Sequence, residues 1–473
     1  MAYLEKFYEI ASIPHGSKNT KLISDYLYKF AKRCGVYVRQ DELNNIIMIK
    51  EATPGYEDHP PVLLQGHMDM VAVKEEDCFI DMAVDGLDLY VEDGCLKARG
   101  TSLGGDDGIA VAYIMELMEN NYPAPKIEAV ITVDEEIGML GATDIDLFDI
   151  TAKQMINLDQ EEEGIFVTGC AGGAVCDIHI PVTKEIASGN VYTIRVSGLK
   201  GGHSGVDIDK NRGNGIKIIA DELCKLAAKV PFKIIEINGG VADNAIPNDV
   251  CAKILLEDEN LNSIFEREIL MLNGLELFFG DAVNYDRAEF SVFKEKYDEM
   301  IVLDEESSRK LPEIIKALPY GILSMSKELE GVVETSANPG IITSYEEHIG
   351  ICISVRSCVN EKKERVILDI GEIVTSNDAT MDVHGIYPGW DYVPGTDLEK
   401  LMVETYEGMF KKKPTLIAIH AGLECGIFSD KIKGLSCISI GPDIMDIHSV
   451  NERLPLDSAD RCFEYLKEVL RKL

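Results

Sequence analysis

Val62-Leu63-Leu64-Gln65-Gly66-His67-Met68-Asp69-Met70 is the stretch that decides the fold, because an apolar run stops at a His and an Asp two residues apart. Side chains alternate faces along a strand, so Asp69 is placed to hold one nitrogen of the His67 imidazole while the other faces a metal. Alone, His-x-Asp is an ordinary surface pair. Here four more segments repeat the pattern: Gly104-Gly105-Asp106-Asp107-Gly108, Thr132-Val133-Asp134-Glu135-Glu136, Met155-Ile156-Asn157-Leu158-Asp159 and Asp446-Ile447-His448. Each puts an acid or His just after a short apolar run, which in an open α/β sheet is the carboxyl edge where ligands bind. Two His and three carboxylates with no Cys suit zinc, with manganese or cobalt as substitutes. Two ions about 3.5–4 Å apart need a bridging carboxylate. Asp106, followed by a helical run over 109–118, is placed to provide it. Glu135 and Glu136 are neighbours at a strand end, so their side chains diverge; one can bind metal while the other moves protons.

The chain has 473 residues, of which 46% are hydrophobic, enough for substantial cores in two to three domains. Its net charge of −36 excludes nucleic acid and an anionic membrane surface as partners, since phosphates are repelled. The start, Met1-Ala2-Tyr3-Leu4-Glu5-Lys6, lacks a basic segment followed by an apolar core, and no apolar run is long enough to span a bilayer. A cytoplasmic chain is expected. The 12 Cys are scattered without a C-x-x-C pair and read as small buried hydrophobes kept reduced.

From residue 1 to roughly 185, helical stretches alternate with apolar strands near Ile46-Ile47-Met48-Ile49, Val62-Leu63-Leu64, Ala129-Val130-Ile131 and Met155-Ile156, favouring an α/β sandwich with a largely parallel sheet. From Val191-Tyr192-Thr193-Ile194-Arg195-Val196 the strands alternate apolar and polar residues, the pattern of a sheet with one wet face. A helix is predicted over 215–229, halted before Pro231. A second strand-then-helix unit joins Ile349-Gly350-Ile351-Cys352-Ile353-Ser354-Val355-Arg356 to the charged stretch 361–376. The first texture returns near Asp397, where a helix leads to Thr415-Leu416-Ile417-Ala418-Ile419-His420. The expected architecture is an α/β catalytic domain in two parts, 1–187 and 387–473, interrupted by an α+β lid at 188–386 whose two units are candidate halves of a duplication. The stretch 261–319 has little clear period. The acidic run Glu161-Glu162-Glu163 reads as a solvated face.

In order and spacing these segments, from Ile13-Pro14-His15-Gly16-Ser17 to Ile447-His448-Ser449-Val450-Asn451-Glu452, resemble the aminoacyl-histidine dipeptidases, in the wider clan of zinc aminoacylases, carboxypeptidases and tripeptide aminopeptidases. The resemblance implies two Zn2+ per chain: His67 and Asp159 on one, Glu136 and His448 on the other, Asp106 bridging. It makes Asp69 the carboxylate behind His67 and Glu135 the general base. The glycine-rich turn Ser197-Gly198-Leu199-Lys200-Gly201-Gly202-His203-Ser204-Gly205 holds a His able to project beyond its own domain. Through the resemblance His203 takes the role of oxyanion stabiliser, in its own site or a partner's.

Asn244, before Pro247, and Arg356 have ordinary readings as a turn Asn and a surface Arg; family position makes both substrate-gripping residues, Arg356 through its planar fork for a carboxylate. In His420-Ala421-Gly422-Leu423-Glu424-Cys425-Gly426, small residues let a substrate backbone approach. His420 is a candidate for the peptide carboxylate and Glu424 for its free amino group, and either is equally able to support a neighbouring residue. The implied activity is metal-dependent hydrolysis of short unblocked peptides, above all Xaa-His dipeptides, by a homodimer formed through the lid. The rivals are a tripeptide aminopeptidase or N-acyl amino-acid deacylase of the same clan, and a catalytically silent relative that binds metal or peptide.

Overall fold

The computed structural model describes residues 2–257, 267–268, 271–272, 275–279, 286–295, 298–329 and 331–473. The chain divides into two compact units. Met1–Cys170, Trp390–Ala418 and Leu423–Leu473 make the first; Ala171–Gly389 and Ile419–Gly422 make the second.

The first unit is built on an eight-stranded sheet in the order Tyr37–Gln40, Ile46–Lys50, Ile127–Thr132, Val62–His67, Gln154–Asn157, Ser436–Ser439, Ile165–Cys170, Thr415–Ile419. Its four central strands, Ile127–Thr132 to Ser436–Ser439, run parallel. Every residue of Val62–His67 and Ile127–Thr132 is buried, as continuous apolar runs are when both sheet faces are covered. The sheet is not parallel towards its edges, contrary to the sequence expectation. Tyr37–Gln40 and Ile46–Lys50 pair antiparallel because the link 41–45 is too short for a crossover. Ile46–Lys50 then meets Ile127–Thr132 antiparallel, and Ser436–Ser439 meets Ile165–Cys170 the same way.

Helix Gly105–Glu119 is buried from Gly105 to Met118, as a helix that is apolar all round must be. Helix Leu456–Lys472 buries one stripe, including Ala459, Phe463, Leu466 and Leu470. Phe463 stacks on Tyr113 at 5.1 Å between ring centroids, and Tyr3 stands edge-on to Tyr113 at 5.0 Å. Such pairs contribute about 0.5–1.5 kcal/mol each beyond their buried area. They tie the first, central and last helices into one core. The register sets His67 opposite Thr132 and Gln65 opposite Asn157, so the segments after three neighbouring strands leave the sheet at one edge.

The second unit begins at Ala171 rather than at 188, because Gly172–Pro181 is a strand held between His348–Ser357 and Thr380–Tyr387 in an 11-stranded sheet. Along it Ala174, Cys176, Ile178 and Ile180 are buried and Val175, Asp177 and His179 partly exposed, so one face is wet as the alternation predicts. Helices Gly215–Ala227, Glu305–Ala317 and Asn360–Thr375 bury Ile219, Leu223, Ile314, Ile315, Val366 and Ile370 in one core with the sheet. Both strand-then-helix units are present: Lys184–Ser197 precedes Gly215–Ala227, and His348–Ser357 precedes Asn360–Thr375. The unit ends at Gly389 rather than at 386, and it also takes Ile419–Gly422 out of the expected 387–473 part, since the Ala171 N–H donates to the carbonyls of Ile419 and Ala421 at 3.0 and 3.1 Å. Part of 261–319 lies outside the described residues. No described helix is long and apolar enough to cross a membrane.

Candidate metal centre and active site

His67 ends a central strand of the first unit, its ring almost wholly buried. Its Nδ1 lies 3.0 Å from the Asp69 carbonyl oxygen and 3.5 Å from Asp69 Oδ1. Its Nε2 lies 3.1 Å from Asp106 Oδ1 and 3.3 Å from Asp159 Oδ1. One nitrogen therefore faces the orienting residue and the other faces carboxylates, the division expected of a metal-binding imidazole. The Asp69 carboxylate also accepts the Ser17 hydroxyl at 2.9 Å and the N–H groups of Glu135 and Glu136 at 3.1 and 3.4 Å. It thus ties the turn bearing both glutamates to the strand bearing His67.

Asp106 lies at the start of the central helix and offers one oxygen to each side. Oδ1 faces His67, and Oδ2 is 3.1 Å from His448 Nε2. His448 Nε2 is in turn 2.9 Å from Glu136 Oε1. The five residues expected as ligands, His67, Asp106, Glu136, Asp159 and His448, are therefore gathered in one place from five separate segments. Two triads have ligand atoms within 4.8 Å of one another: His67, Asp106 and Glu136, and His67, Asp107 and Asp159.

The electrostatics call for cations. Burial would strip charge from the His67 ring, but Asp159, Asp106 and Asp69 overcome it and hold its pKa well above the ordinary value. The hydrogen bond to Asp106 and the adjoining Glu136 carboxylate raise His448 to about 10. Burial pushes Asp159 up to about 6, with Asp106 and Glu136 adding repulsion. Burial raises Glu135 as well, reinforced by Asp159, Glu424 and Glu136. Glu136 Oε1 and Asp107 Oδ1 are buried without a hydrogen-bond partner. Glu136 Oε1 meets the His448 nitrogen in a contact that is not aligned as a hydrogen bond. A nitrogen and oxygen donor set with orphaned buried carboxylate oxygens fits divalent ions of the zinc type, which would lower these raised carboxyl pKa values.

Three supports escaped the sequence reading. Asp107 accepts the His67 N–H through Oδ2 at 3.1 Å. That approach requires Gly66, where an added Cβ would lie 2.5 Å from Asp107 Oδ2. Gln65 donates to Glu424 and accepts from Asn157 Nδ2 at 2.6 Å. Glu452, 4% exposed, accepts backbone N–H groups of the Asp106 loop. The adjacency of Asp107 to Asp106 was the one available sequence signal.

Glu424 is hydrogen-bonded to residues of the ligand-bearing strands. It is fully buried, accepts the Thr132 hydroxyl at 2.7 Å, and burial pushes it up to about 8. Gln65, Thr132 and Asn157 each stand just before a ligand-bearing strand end, so Glu424 links three of them directly or through Gln65. Within the acidic run after Asp159, Glu163 is not merely solvated: it accepts from Arg461 Nη2 at 2.6 Å and from Ser458 at 2.8 Å.

His203, Asn244, Arg356 and His420 all belong to the second unit. His203 Nδ1 accepts the N–H groups of Gly205 and Val206, each at 3.1 Å. Its proton must then sit on Nε2. Burial and the Arg356 charge lower its pKa, keeping the ring neutral. Asn244 is exposed, and its carbonyl accepts the Ser204 N–H at 2.7 Å. Arg356, 8% exposed, donates from Nη1 to the Tyr387 hydroxyl at 3.0 Å, while its Nε is buried without a hydrogen-bond partner. His420 Nε2 is 2.7 Å from the Ser336 hydroxyl, and Ser336 pairs in register with Arg356. Burial, then Arg356, lowers His420 to about 4.

Residues 63–472 match the model of peptidase family M20/M25/M40. The chain belongs to that family. It is similar to the cytosol non-specific dipeptidase of Escherichia coli K12, with 32% identity over 99% of this chain and 96% of the relative. The crystal structure of aminoacylhistidine dipeptidase from Vibrio alginolyticus superposes with a TM-score of 0.90 at 30% identity, covering 100% of this chain and 96% of that one. Aminopeptidase PepT from Bacillus cereus shares the fold, with a TM-score of 0.57 at 19% identity over 100% of this chain and 98% of that one.

Proposed function

We propose that this chain is a cytoplasmic metal-dependent dipeptidase that cleaves short unblocked peptides, Xaa-His dipeptides among them. The observation that carries the proposal is the meeting of His67, Asp106, Glu136, Asp159 and His448 around shared contacts, in a chain whose full-length relatives are named as dipeptidases. We assign His67 and Asp159 to one zinc, Glu136 and His448 to the other, and Asp106 to both. Manganese or cobalt would substitute. When bound, such a pair acidifies a water and polarises the scissile carbonyl.

The chain's own residues do the rest. Glu135, beside the ligands but not among them, takes a proton from the attacking water and returns it to the departing amine. A peptide nitrogen is a poor leaving group, so one carboxyl must serve as base and then as acid. His203 donates its Nε2–H to the developing oxyanion. Arg356, with its unmet Nε, and His420 suit the carboxylate end of the substrate, and Asn244 a peptide amide. We further assign a homodimer formed through the second unit.

A substrate panel on metal-loaded protein tests this reading. Xaa-His dipeptides, other dipeptides, tripeptides and N-acyl amino acids are compared side by side. Dipeptides should be preferred, with sharp loss of rate on N-acetylation. Preference for tripeptides or N-acyl amino acids would assign the chain to another branch of the clan. No turnover by a protein holding its metals would make it a binding relative.

A further inference from the structure

The buried carboxylate of Glu452 lies four residues beyond His448, in a loop closed at its base by paired Met445 and Arg453. Their N–H and carbonyl groups exchange two hydrogen bonds of 3.0 Å. From this loop the His448 ring reaches Asp106 Oδ2, and the Glu452 side chain reaches the backbone on the other side of the same residue. Glu452 Oε2 accepts the N–H groups of Leu103 and Gly104 at 2.8 and 3.1 Å; Oε1 accepts those of Gly105 and Asp106 at 2.7 and 3.4 Å. Four successive backbone donors thus converge on one carboxylate.

Such convergence fixes a loop's path, because each N–H must point inward at once. At Gly104 the backbone is left-handed, φ 67°, and an added Cβ would lie 2.8 Å from Met70 Sδ. The glycines let the chain curl; Glu452 supplies the reason for it to do so. Only an acceptor with two unprotonated oxygens satisfies the arrangement, since an amide in its place turns an NH2 group towards N–H donors. The curl ends at Asp106, whose two oxygens face the two imidazoles.

We infer that Glu452 is a positioning residue for the metal centre: it sets the orientation of Asp106 and couples it to the loop that presents His448, and so governs the affinity for the ions that Asp106 would hold. The inference rests on the di-metal reading above. Groups behind metal ligands typically tune affinity by about 10–100-fold.

The test is a cobalt titration of chelator-stripped, full-length protein, followed by visible absorbance and elemental analysis, with thermal unfolding of the metal-free forms in parallel. Glu128→Gln is the control. Glu128 is also a fully buried carboxylate accepting backbone N–H groups, those of Thr151 and Ala152 at 2.7 and 2.9 Å, but it sits at the opposite end of its strand from the metal residues. Wild-type protein should take two ions. Glu452→Gln should weaken at least one of the two by at least about tenfold. Glu128→Gln should lower the unfolding temperature yet leave both affinities within about twofold of wild type, because it touches no ligand-bearing loop.

Unchanged cobalt affinities in Glu452→Gln, or losses in both variants that track their unfolding temperatures, overturn the inference. If Glu452→Gln does not fold, Glu452→Asp is titrated instead, since it keeps the charge but is one methylene short. Failure of both to fold makes the residue structural and likewise overturns it. Wild-type protein that binds no cobalt would sink the di-metal reading itself, a result distinct from all of these.

Discussion

Gly66→Ala should damage the metal centre from behind. The added methyl would sit 2.5 Å from Asp107 Oδ2 and 2.7 Å from Ala110 Cβ, and both lie on the buried stretch of the central helix. Neither neighbour has room to retreat. Overpacking of this kind costs about 1–3 kcal/mol. Displacing Asp107 also breaks its hydrogen bond to the His67 N–H; burial, with Asp159 and Asp106, pushes the Asp107 carboxyl well above its ordinary value, so the bond counts as one between neutral groups, about 0.5–1.5 kcal/mol. The expected loss is about 3 kcal/mol by these two contributions. For a unit of this size that lowers the unfolding temperature by about 6–12 °C. Calorimetry of metal-free protein measures the first effect, and elemental analysis after metal loading measures the second, a fall in bound ions as His67 shifts. A variant that melts within 2 °C or so of wild type and keeps its metals would refute the claim that Asp107 and the strand are in closed contact.

Glu135→Gln should retain metal and lose turnover by at least about a hundredfold, because the amide matches the carboxylate in size but cannot accept and return a proton. If Glu136→Gln kept its metal while Glu135→Gln lost it, the adjacent pair would be assigned the wrong way round. His203→Ala should leave metal content intact and lower kcat by about 10²–10³, the range for one oxyanion donor; an unimpaired variant would remove the second unit from the chemistry. Glu128 is held below its ordinary value of 4.5 because, although burial raises it, donation from Thr151, Lys126 and Ala152 prevails. A depressed carboxyl contributes stability that is present above its unfolded value and lost as pH falls through the folded one. Urea midpoints should therefore drop on acidification below about pH 4.5 in wild type and less steeply in Glu128→Gln.

The centre was legible where a ligand follows a short apolar run. His67, Glu136 and Asp159 each stand within four residues of a strand's end, and strand order then carries them to one edge. Asp106 was legible through its glycines and the apolar helix behind it. Glu452 was not, because a Glu in a polar loop has no local mark of the backbone donors that gather round it from nearly 350 residues earlier in the chain. Gly66 hid for a similar reason: the atom it makes room for belongs to another segment.

The second unit starts at Ala171, ahead of the change of texture at Val191, because the strand Gly172–Pro181 opens on two glycines and carries no signal of which sheet it joins. In the fold these glycines admit close neighbours; a Cβ on Gly172 would lie 2.3 Å from the Gly389 nitrogen. Helix Glu305–Ala317 escaped because Pro312 interrupts its pattern, although Asp304 caps its start by accepting the Ser307 N–H at 2.8 Å and Leu311, Ile314 and Ile315 mark its buried stripe.

The most direct measurement is metal content and dipeptide hydrolysis on one preparation, before and after chelation. Protein purified without chelator should carry up to two divalent ions per chain, lose its hydrolysis of unblocked dipeptides when they are removed, and regain it on adding zinc, manganese or cobalt. Full activity in metal-free protein would contradict the assignment of His67, Asp106, Glu136, Asp159 and His448 as the ligands of a catalytic centre.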